Sequence, residues 1–283
     1  MINLNDPVSL QLLIDTIQID VDESSKELFQ DGHRKHLGAS QIGEPCSRKL
    51  WYAFRWVKKP QFPGRILRLF NRGHREEHAL IKVLLEAGWK LNTTPEKQDK
   101  LSDVGGHFGG SMDNSGRMPD RYSIDKEFLI EFKTAKNTLF NRLKKNGVKR
   151  EYAKHWSQMC IYGYKKGLEW AIYVSVNKDT DELHFEVLQL DWEHAKAMID
   201  KAALIITAKE APPQIARSIT HYDCKYCDYK DICHNGEKPE KNCRSCIHAT
   251  AVDGKLWACG KAEDTVIPEH VISVGCPQWE PVR

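Results

Sequence analysis

The sequence predicts a mixed α/β (α+β) fold: a central mixed sheet flanked by helices, followed by a small cysteine-rich, metal-binding tail. Three observations predict it. Apolar residues recur at helical spacing in 65–87 and 152–164, apolar strand-like runs occupy 128–134, 170–176 and 183–190, and seven of the nine cysteines fall in the last sixty residues. A chain of 283 residues with 41% hydrophobic content suits one sizeable domain plus an appendage. The expected divisions are an amino-terminal helical segment at 1–36, a core at 37–237 and a cysteine module at 238–283.

Leu10, Leu13, Ile14 and Ile17 stand at i, i+3, i+4 and i+7, which predicts an acidic first helix and connector. In 37–55, Ser40 is expected to cap a short helix before a turn at Gly43 and Pro45, with a helix then running from Leu50 to Arg55. Ile66, Leu69, Phe70, Leu80, Ile81, Val83, Leu84 and Leu85 predict a long helix, with Gly88 as its stop and Glu77 in its middle. Strand-like pieces follow at Trp89–Leu91, in glycine-rich 105–114 and at Phe128–Thr134. Residues 142–150 read as a basic loop, 152–164 as an amphipathic helix, and 193–208 as a helix ending before Pro212 and Pro213.

A formal charge of +3 does not by itself argue for nucleic acid, because the position of positive charge matters more than its sum. No window approaches the roughly 20 apolar residues of a membrane span. Met1 to Asp20 carries aspartates in place of a basic, then apolar, signal pattern, so a cytoplasmic protein with no membrane partner is expected.

The chemistry lies in four short pieces: Gly73 with Glu77, Asp113, Glu131-Phe132-Lys133, and Gln158 with Tyr162. Side chains alternate along a strand, so Glu131 and Lys133 share one face while Ile130 and Phe132 enter the core. A Glu-X-Lys by itself is ordinarily a surface ion pair. Here it follows an Asp in a glycine-rich turn, follows a Glu on a helix, and precedes Gln158 and Tyr162 at i, i+4 on one helix face. Carboxylates that hold Mg²⁺ or Mn²⁺ can activate water and neutralise a phosphodiester, and hard divalent ions prefer their oxygens. Asp113 and Glu131 are the expected metal ligands, and Lys133 is expected to orient water or stabilise phosphate.

On these pieces the chain resembles the PD-(D/E)XK nuclease superfamily, in its RecB-like exonuclease branch. Gly73 with Glu77 matches the first motif, Asp113 the second, Glu131 with Lys133 the third and Gln158 with Tyr162 the fourth. Many relatives carry His where Glu77 stands. The resemblance spans about residues 37–235 and implies a restriction-endonuclease-like core. It also implies a DNA nuclease acting on ends or single strands, with Glu77 joining Asp113 and Glu131 in binding metal and Gln158 and Tyr162 supporting the site. By analogy, small stand-alone members of bacteriophages suggest recombination, repair or phage replication, with recombination or replication proteins as partners, inside a bacterial or phage-infected cell. Arg142, Lys144, Lys145, Lys149 and Arg150 would bind DNA phosphates near the cleft. Tyr152 and Trp156 could stack on unpaired bases, although core packing is the expected role for Trp156. The sequence holds no Gly-X4-Gly-Lys-Ser/Thr loop that would mark a helicase.

Without a secretory signal, nine cysteines read as metal ligands ahead of disulfides. Cys224-X2-Cys227-X5-Cys233 is a triplet that Cys46 can complete, and the spacing alone also allows zinc. The resemblance extends to iron–sulfur members of the branch, the AddB-type nuclease domains and CRISPR-associated exonucleases, which place one cysteine before the core and three after it. It therefore implies a 4Fe-4S cluster on Cys46, Cys224, Cys227 and Cys233, tying the ends of the core together. Cys243-X2-Cys246-X12-Cys259-X16-Cys276 forms a second set, suited to Zn²⁺ in a small β-rich knuckle or to a second cluster. Cys160 reads as a buried apolar residue. Two other functions fit the residues: a structure- or sequence-selective endonuclease on the same fold, and a non-catalytic nucleic-acid-binding protein with structural metal clusters. A ferredoxin-like electron carrier would leave Asp113, Glu131 and Lys133 without a role.

Overall fold

The computed structural model describes residues 5–94 and 97–282, so the first four residues of the expected amino-terminal segment and Arg283 lie outside the described residues. Helix α1 (Pro7–Phe29) starts with Asp6, whose carboxylate accepts from the Ser9 N–H, and with Pro7 in the first turn, where its missing donor costs nothing. It packs on α3 (Gly64–Glu86), and Gly64 permits the approach: a Cβ there would lie 2.5 Å from the Asp22 carbonyl oxygen.

Between these helices come β1 (Leu37–Gly38) and α2 (Ser47–Phe54). The helix expected from Ser40 is absent: 39–43 is a run of turns, and the helix begins only after Cys46, whose sulfur accepts from the Lys49 N–H. The Gly43–Pro45 pair opposes helix before Cys46 and leaves Cys46 as the first residue able to cap one. Helix α3 ends as expected, with Gly88 at φ +87°. Leu67, Leu80, Ile81 and Leu84 bury its inner face, whereas Leu69, Phe70, Val83 and Leu85 of the same apolar set are exposed.

The main sheet has five strands: β2 (Lys90–Leu91), β5 (Asn114–Arg117), β6 (Glu127–Ala135), β7 (Trp170–Asn177) and β8 (Leu183–Gln189), in that order. Every pairing is antiparallel except β6 with β7, which is parallel. A parallel pair needs a crossover, and here α4 (Asn137–Asn146), α5 (Val148–Glu151) and α6 (Ala153–Lys166) supply it. The crossover covers the second face of β6, so the alternation has buried surface on both sides. Phe128, Ile130 and Phe132 meet Leu80, Ile81 and Leu84 of α3, while Leu129 joins the larger cluster with Met159, Ile161 and Tyr173. Glu131 lies on that second face and is fully buried, so the acidic side of the strand is interior as well.

The expected basic loop at 142–150 is helical, broken only at Gly147. Phe140 and Leu143, one turn apart, and Val148 are fully buried and anchor α4 and α5, a packing signal masked in the sequence by the surrounding lysines and arginines. A second sheet orders β1, β4 (Phe108–Ser111) and β3 (Lys100–Asp103), and α7 (Trp192–Thr207) packs on α6. Short helices α8 (Tyr222–Lys225) and α9 (Lys230–Asn235) lead to the tail, where β9 (Ala249–Val252), β10 (Leu256–Cys259) and β11 (Thr265–Val266) form an antiparallel sheet before α10 (Glu269–Ile272). The tail's Trp257, Ile267, Ile272 and Val282 belong to the same buried cluster as Trp51 and Phe54 of α2. No helix among the described residues is long and apolar enough to cross a membrane.

Candidate functional site

β6 carries Glu131 and Lys133 on its α6-facing side, and the antiparallel register of Asn114 with Ile130 brings Asp113, one step earlier, alongside Glu131. Asp113 Oδ2 accepts the Phe132 N–H at 2.9 Å and lies 3.7 Å from Lys133 Nζ. Lys133 Nζ also donates to Glu131 Oε1 and, at 3.1 Å, to the Phe132 carbonyl. Glu77 enters from α3, buried, with Oε1 accepting from Gln98 Nε2 at 2.7 Å. Phe70, Gly73, Glu77, Asp113, Lys133 and His155 line one open cleft.

The charges do not balance. Burial and then the neighbouring Asp113 carboxylate push Glu77 up to about 7 and Glu131 up to about 8, with Lys133 opposing the second shift. Burial favours neutral Lys133, but Glu131 and Asp113 outweigh it and hold the ammonium above its ordinary range. Glu131 Oε2 is buried with no hydrogen-bond partner among the described residues. Three carboxylates around one ammonium, with an acceptor oxygen left unmet, form a donor set that suits a hard divalent cation. As the side chains lie, no three acidic, histidine or cysteine groups among the described residues converge on a single-ion position, and the Lys133 ammonium spans Glu131 and Asp113.

Gln158 and Tyr162 are buried on α6, which packs on β6. The Tyr162 hydroxyl sits against Gly110, where a Cβ would come within 2.4 Å of it, so the glycine strand leaves room for that oxygen. Burial, then the Glu131 and Asp113 carboxylates, keep the phenol protonated well above its usual range.

Two residues of this site escape sequence reasoning. Gln98 reaches Glu77 from a loop far along the chain. His155, one turn before Gln158, binds the Tyr173 hydroxyl through Nδ1 at 2.9 Å and stacks between Tyr152 and Tyr173. Burial and then the Lys133 charge hold His155 down at about 3, so the ring is neutral. Its position three residues before Gln158 was the available signal.

The expected phosphate-binding residues differ in how free they are. Arg142 pairs with Glu151 at 2.6 Å, Lys144 pairs with Glu182, and Lys149 lies 5.0 Å from the centre of the Trp156 ring. Lys145 and Arg150 are exposed. Trp156 is buried, in accord with packing, and so is Cys160, whose thiol burial pushes up to about 11.

Cys46, Cys224, Cys227 and Cys233 line one small cavity. Donors aim at sulfur there: the Lys49 N–H at Cys46 (3.4 Å), Gln214 Nε2 at Cys233 (3.4 Å) and Arg48 at Cys233 (3.9 Å). Burial pushes the Cys227 thiol up, the nearby Cys46 sulfur adds to the shift, and Lys49 opposes it. In the tail, burial and then Cys276, Cys246 and Cys259 push up the Cys243 thiol, so these four sulfurs share one neighbourhood.

No family model and no curated protein matches this chain. Solved structures similar to it include SSO0001, with 17% identity, coverage of 77% of this chain and 96% of that one, and a TM-score of 0.46. LHK-Exo in complex with dAMP is similar at 18% identity, 60% and 86% coverage and a TM-score of 0.42. The alkaline exonuclease LHK-Exo from Laribacter hongkongensis is similar at 19% identity, 61% and 87% coverage and a TM-score of 0.38.

Proposed function

We propose that this chain is a divalent-metal-dependent DNA exonuclease that hydrolyses phosphodiester bonds at ends or on single strands. The observation that carries the reading is the meeting of Glu77, Asp113 and Lys133 in one cleft, with Glu131 buried behind them against Lys133 and one of its oxygens without a hydrogen-bond partner among the described residues. Glu77, Asp113 and Glu131 would hold Mg²⁺ or Mn²⁺. When bound, the metal supplies a more acidic water and neutralises charge on the phosphate. Lys133, kept protonated by its carboxylate neighbours, offers a cation to a phosphate oxygen entering the cleft. Tyr162 retains its proton and can donate a hydrogen bond beside the site, while Gln158 fills the same buried helix face. Neutral His155 positions the floor through Tyr173 and takes no part as an acid.

The cysteine cavity supports a 4Fe-4S cluster on Cys46, Cys224, Cys227 and Cys233. N–H donors directed at sulfur suit anionic thiolate ligands, and the four cysteines come from the cap of α2, from α8 and α9 and from the turn between the last two. Bound there, the cluster would fasten the start of the core to its end. Cys243, Cys246, Cys259 and Cys276 would hold Zn²⁺ in the tail. Lys145 and Arg150, with Arg142, Lys144 and Lys149 once released from their partners, would add salt-sensitive contacts to DNA phosphates.

The test is degradation of end-labelled single-stranded and duplex DNA with Mg²⁺, with Mn²⁺ and with EDTA, alongside Glu131→Gln. Metal-dependent release of label that vanishes in the variant supports the proposal. Intact DNA from protein that retains its cluster absorbance would leave a non-catalytic binding protein. A circular single strand separates the two enzymatic modes, because an obligate exonuclease leaves it closed.

A further inference from the structure

Beside the cleft, a groove is lined by Lys58, Lys59, Phe62, Lys225, Tyr226 and Lys230. Four cations face two acids there, Asp228 and Asp231. Two of its aromatic rings reach solvent: Tyr226 is 78% exposed and Phe62 36%. Lys225 Nζ lies 5.2 Å from the centre of the Tyr226 ring, so a cation and a π-face are presented together. The groove does not end at Phe62. That ring meets Phe70 edge-on, with centroids 5.3 Å apart at 82°, and Phe70, 49% exposed, lines the cleft that holds Glu77, Asp113 and Lys133. Phe70 and Glu77 are seven residues apart on α3, two turns along one face.

We propose that an unpaired nucleic acid strand lies along this groove, with phosphates on the lysines and bases on Tyr226, Phe62 and Phe70, and is fed across the Phe62–Phe70 pair into the cleft. Burying such rings elsewhere would be favourable, yet they stand in solvent beside lysines, the combination that takes up stacked bases and a phosphate backbone together. Charge selects this side of Phe62. The hollow on its other side is lined by Asp15, Asp22 and Glu23 against Lys26, which disfavours a polyanion. The path also passes the Cys227 loop, so it joins the cysteine cavity to the cleft along one surface. The direction of feeding rests on the nuclease reading; the binding surface does not.

The experiment uses the full chain carrying Glu131→Gln, in EDTA, with a fluorescent oligo(dT) of roughly 20 nucleotides. Anisotropy is followed across a salt series for Lys58→Glu with Lys225→Glu, and separately for Phe62→Ala with Phe70→Ala. Each pair of changes should weaken binding about tenfold, and the lysine pair should also flatten the salt dependence. An oligo(U) arm reports whether the strand is read as DNA or RNA. In the otherwise unaltered groove, an oligonucleotide bearing 5-iodouracil should crosslink to Phe62, Phe70 or Tyr226, a readout independent of whether the variants fold. Unchanged affinity in both folded variants, crosslinks confined to α4 and α5, or displacement of the strand by polyglutamate at equal charge would overturn the proposal. Wild-type protein that degrades DNA while the groove variants bind normally sinks the groove and spares the nuclease. Loss of binding in the variants, with mapped crosslinks but no metal-dependent degradation by wild type, does the reverse.

Discussion

Charge is buried in two places in this molecule, and the two are built in opposite ways. At the cleft, Asp113 and Glu131 contact one ammonium, Glu77 adds a third carboxylate near it, and a Glu131 oxygen is unmet among the described residues. At the junction between α2 and the tail, Arg55 and Arg244 are almost wholly enclosed, with no carboxylate partner among the described residues. Backbone carbonyls and aromatic faces meet them. Arg55 donates to Ala249 and Cys246 at 2.8 and 2.6 Å, and Arg244 donates to Lys35 at 3.1 Å and to Phe54. Arg244 also lies between 4.3 and 4.7 Å from the ring centres of Phe54, Trp56 and Trp257. Burial lowers Arg55 to about 10, which leaves it charged at neutral pH. At the junction, carbonyls and rings meet the guanidinium heads, although Arg55 Nε and Arg244 Nε have no hydrogen-bond partner among the described residues, whereas the cleft is open and short of positive charge. A sealed buried charge holds a tail in place, and an unbalanced one is poised for a ligand.

The largest effect that would break this contrast is on turnover. Glu131→Gln and Asp113→Asn should each lower DNA cleavage about a thousandfold, roughly 4 kcal/mol of transition-state stabilisation. Metal-free stability should hold or rise above about pH 8, where Glu131 would otherwise ionise and each change removes like-charge repulsion. Urea unfolding in EDTA checks the second half, and a clear fall in midpoint would mean that the acidic cluster is structural. Lys133→Ala should also abolish cleavage, but it removes a cation that touches both Glu131 and Asp113 and should therefore destabilise the fold.

At the junction the order reverses, with stability suffering before turnover. Arg244→Ala should cost about 3 kcal/mol, since it removes a side chain packed against three rings and strands the Phe54 and Lys35 carbonyls. The urea midpoint should fall at unchanged slope. A cost within about 0.5 kcal/mol, the range of ordinary surface changes, would show that the tail does not depend on this contact.

A smaller effect sharpens the comparison through pH. Glu77 and Glu131 have folded values raised to about 7 and about 8, above those of the unfolded chain, so the native state holds protons that the unfolded state has released. Stability of the metal-free protein should therefore fall as pH rises from about 4.5 towards 8. Combining Glu77→Gln with Glu131→Gln should flatten the slope, as read by thermal melting in EDTA at several pH values. An equally steep slope in the double variant would place the titrating groups elsewhere.

Much of this was legible in the sequence, and the misses have definite causes. Period and stop signals located α3, β6, α6 and β7 because each carries a long apolar face. The same alternation put Glu131 and Lys133 on one face, but it could not show that face to be interior, since burial there depends on a crossover that returns over the sheet. Helices α4 and α5 were read as a loop because charge outnumbers the three buried residues that anchor them. Gln98 and His155 find their partners only through tertiary packing. The tail's cysteine spacing was visible, but its attachment was not: Arg55 and Arg244 look like surface cations until Trp51, Phe54, Trp56 and the tail's Trp257 close around them.

The smallest effect concerns charge that is not buried, the reference for both regions. Arg142 and Glu151 form a 2.6 Å pair with the arginine largely in solvent, and such pairs contribute about 0–1 kcal/mol. Arg142→Ala should shift the urea midpoint by little more than the error of the measurement. Its effect on DNA affinity should also be smaller than that of Lys145→Ala or Arg150→Ala, because Arg142 must leave a carboxylate before it can meet a phosphate. Salt titration of oligonucleotide binding distinguishes the cases: each exposed cation that contacts phosphate should reduce the logarithmic salt slope by about 0.7 on a single strand. Equal losses from Arg142, Lys145 and Arg150 would mean that the Glu151 pair opens freely in the complex, so that the position of a cation on this surface matters more than its partner in the free protein.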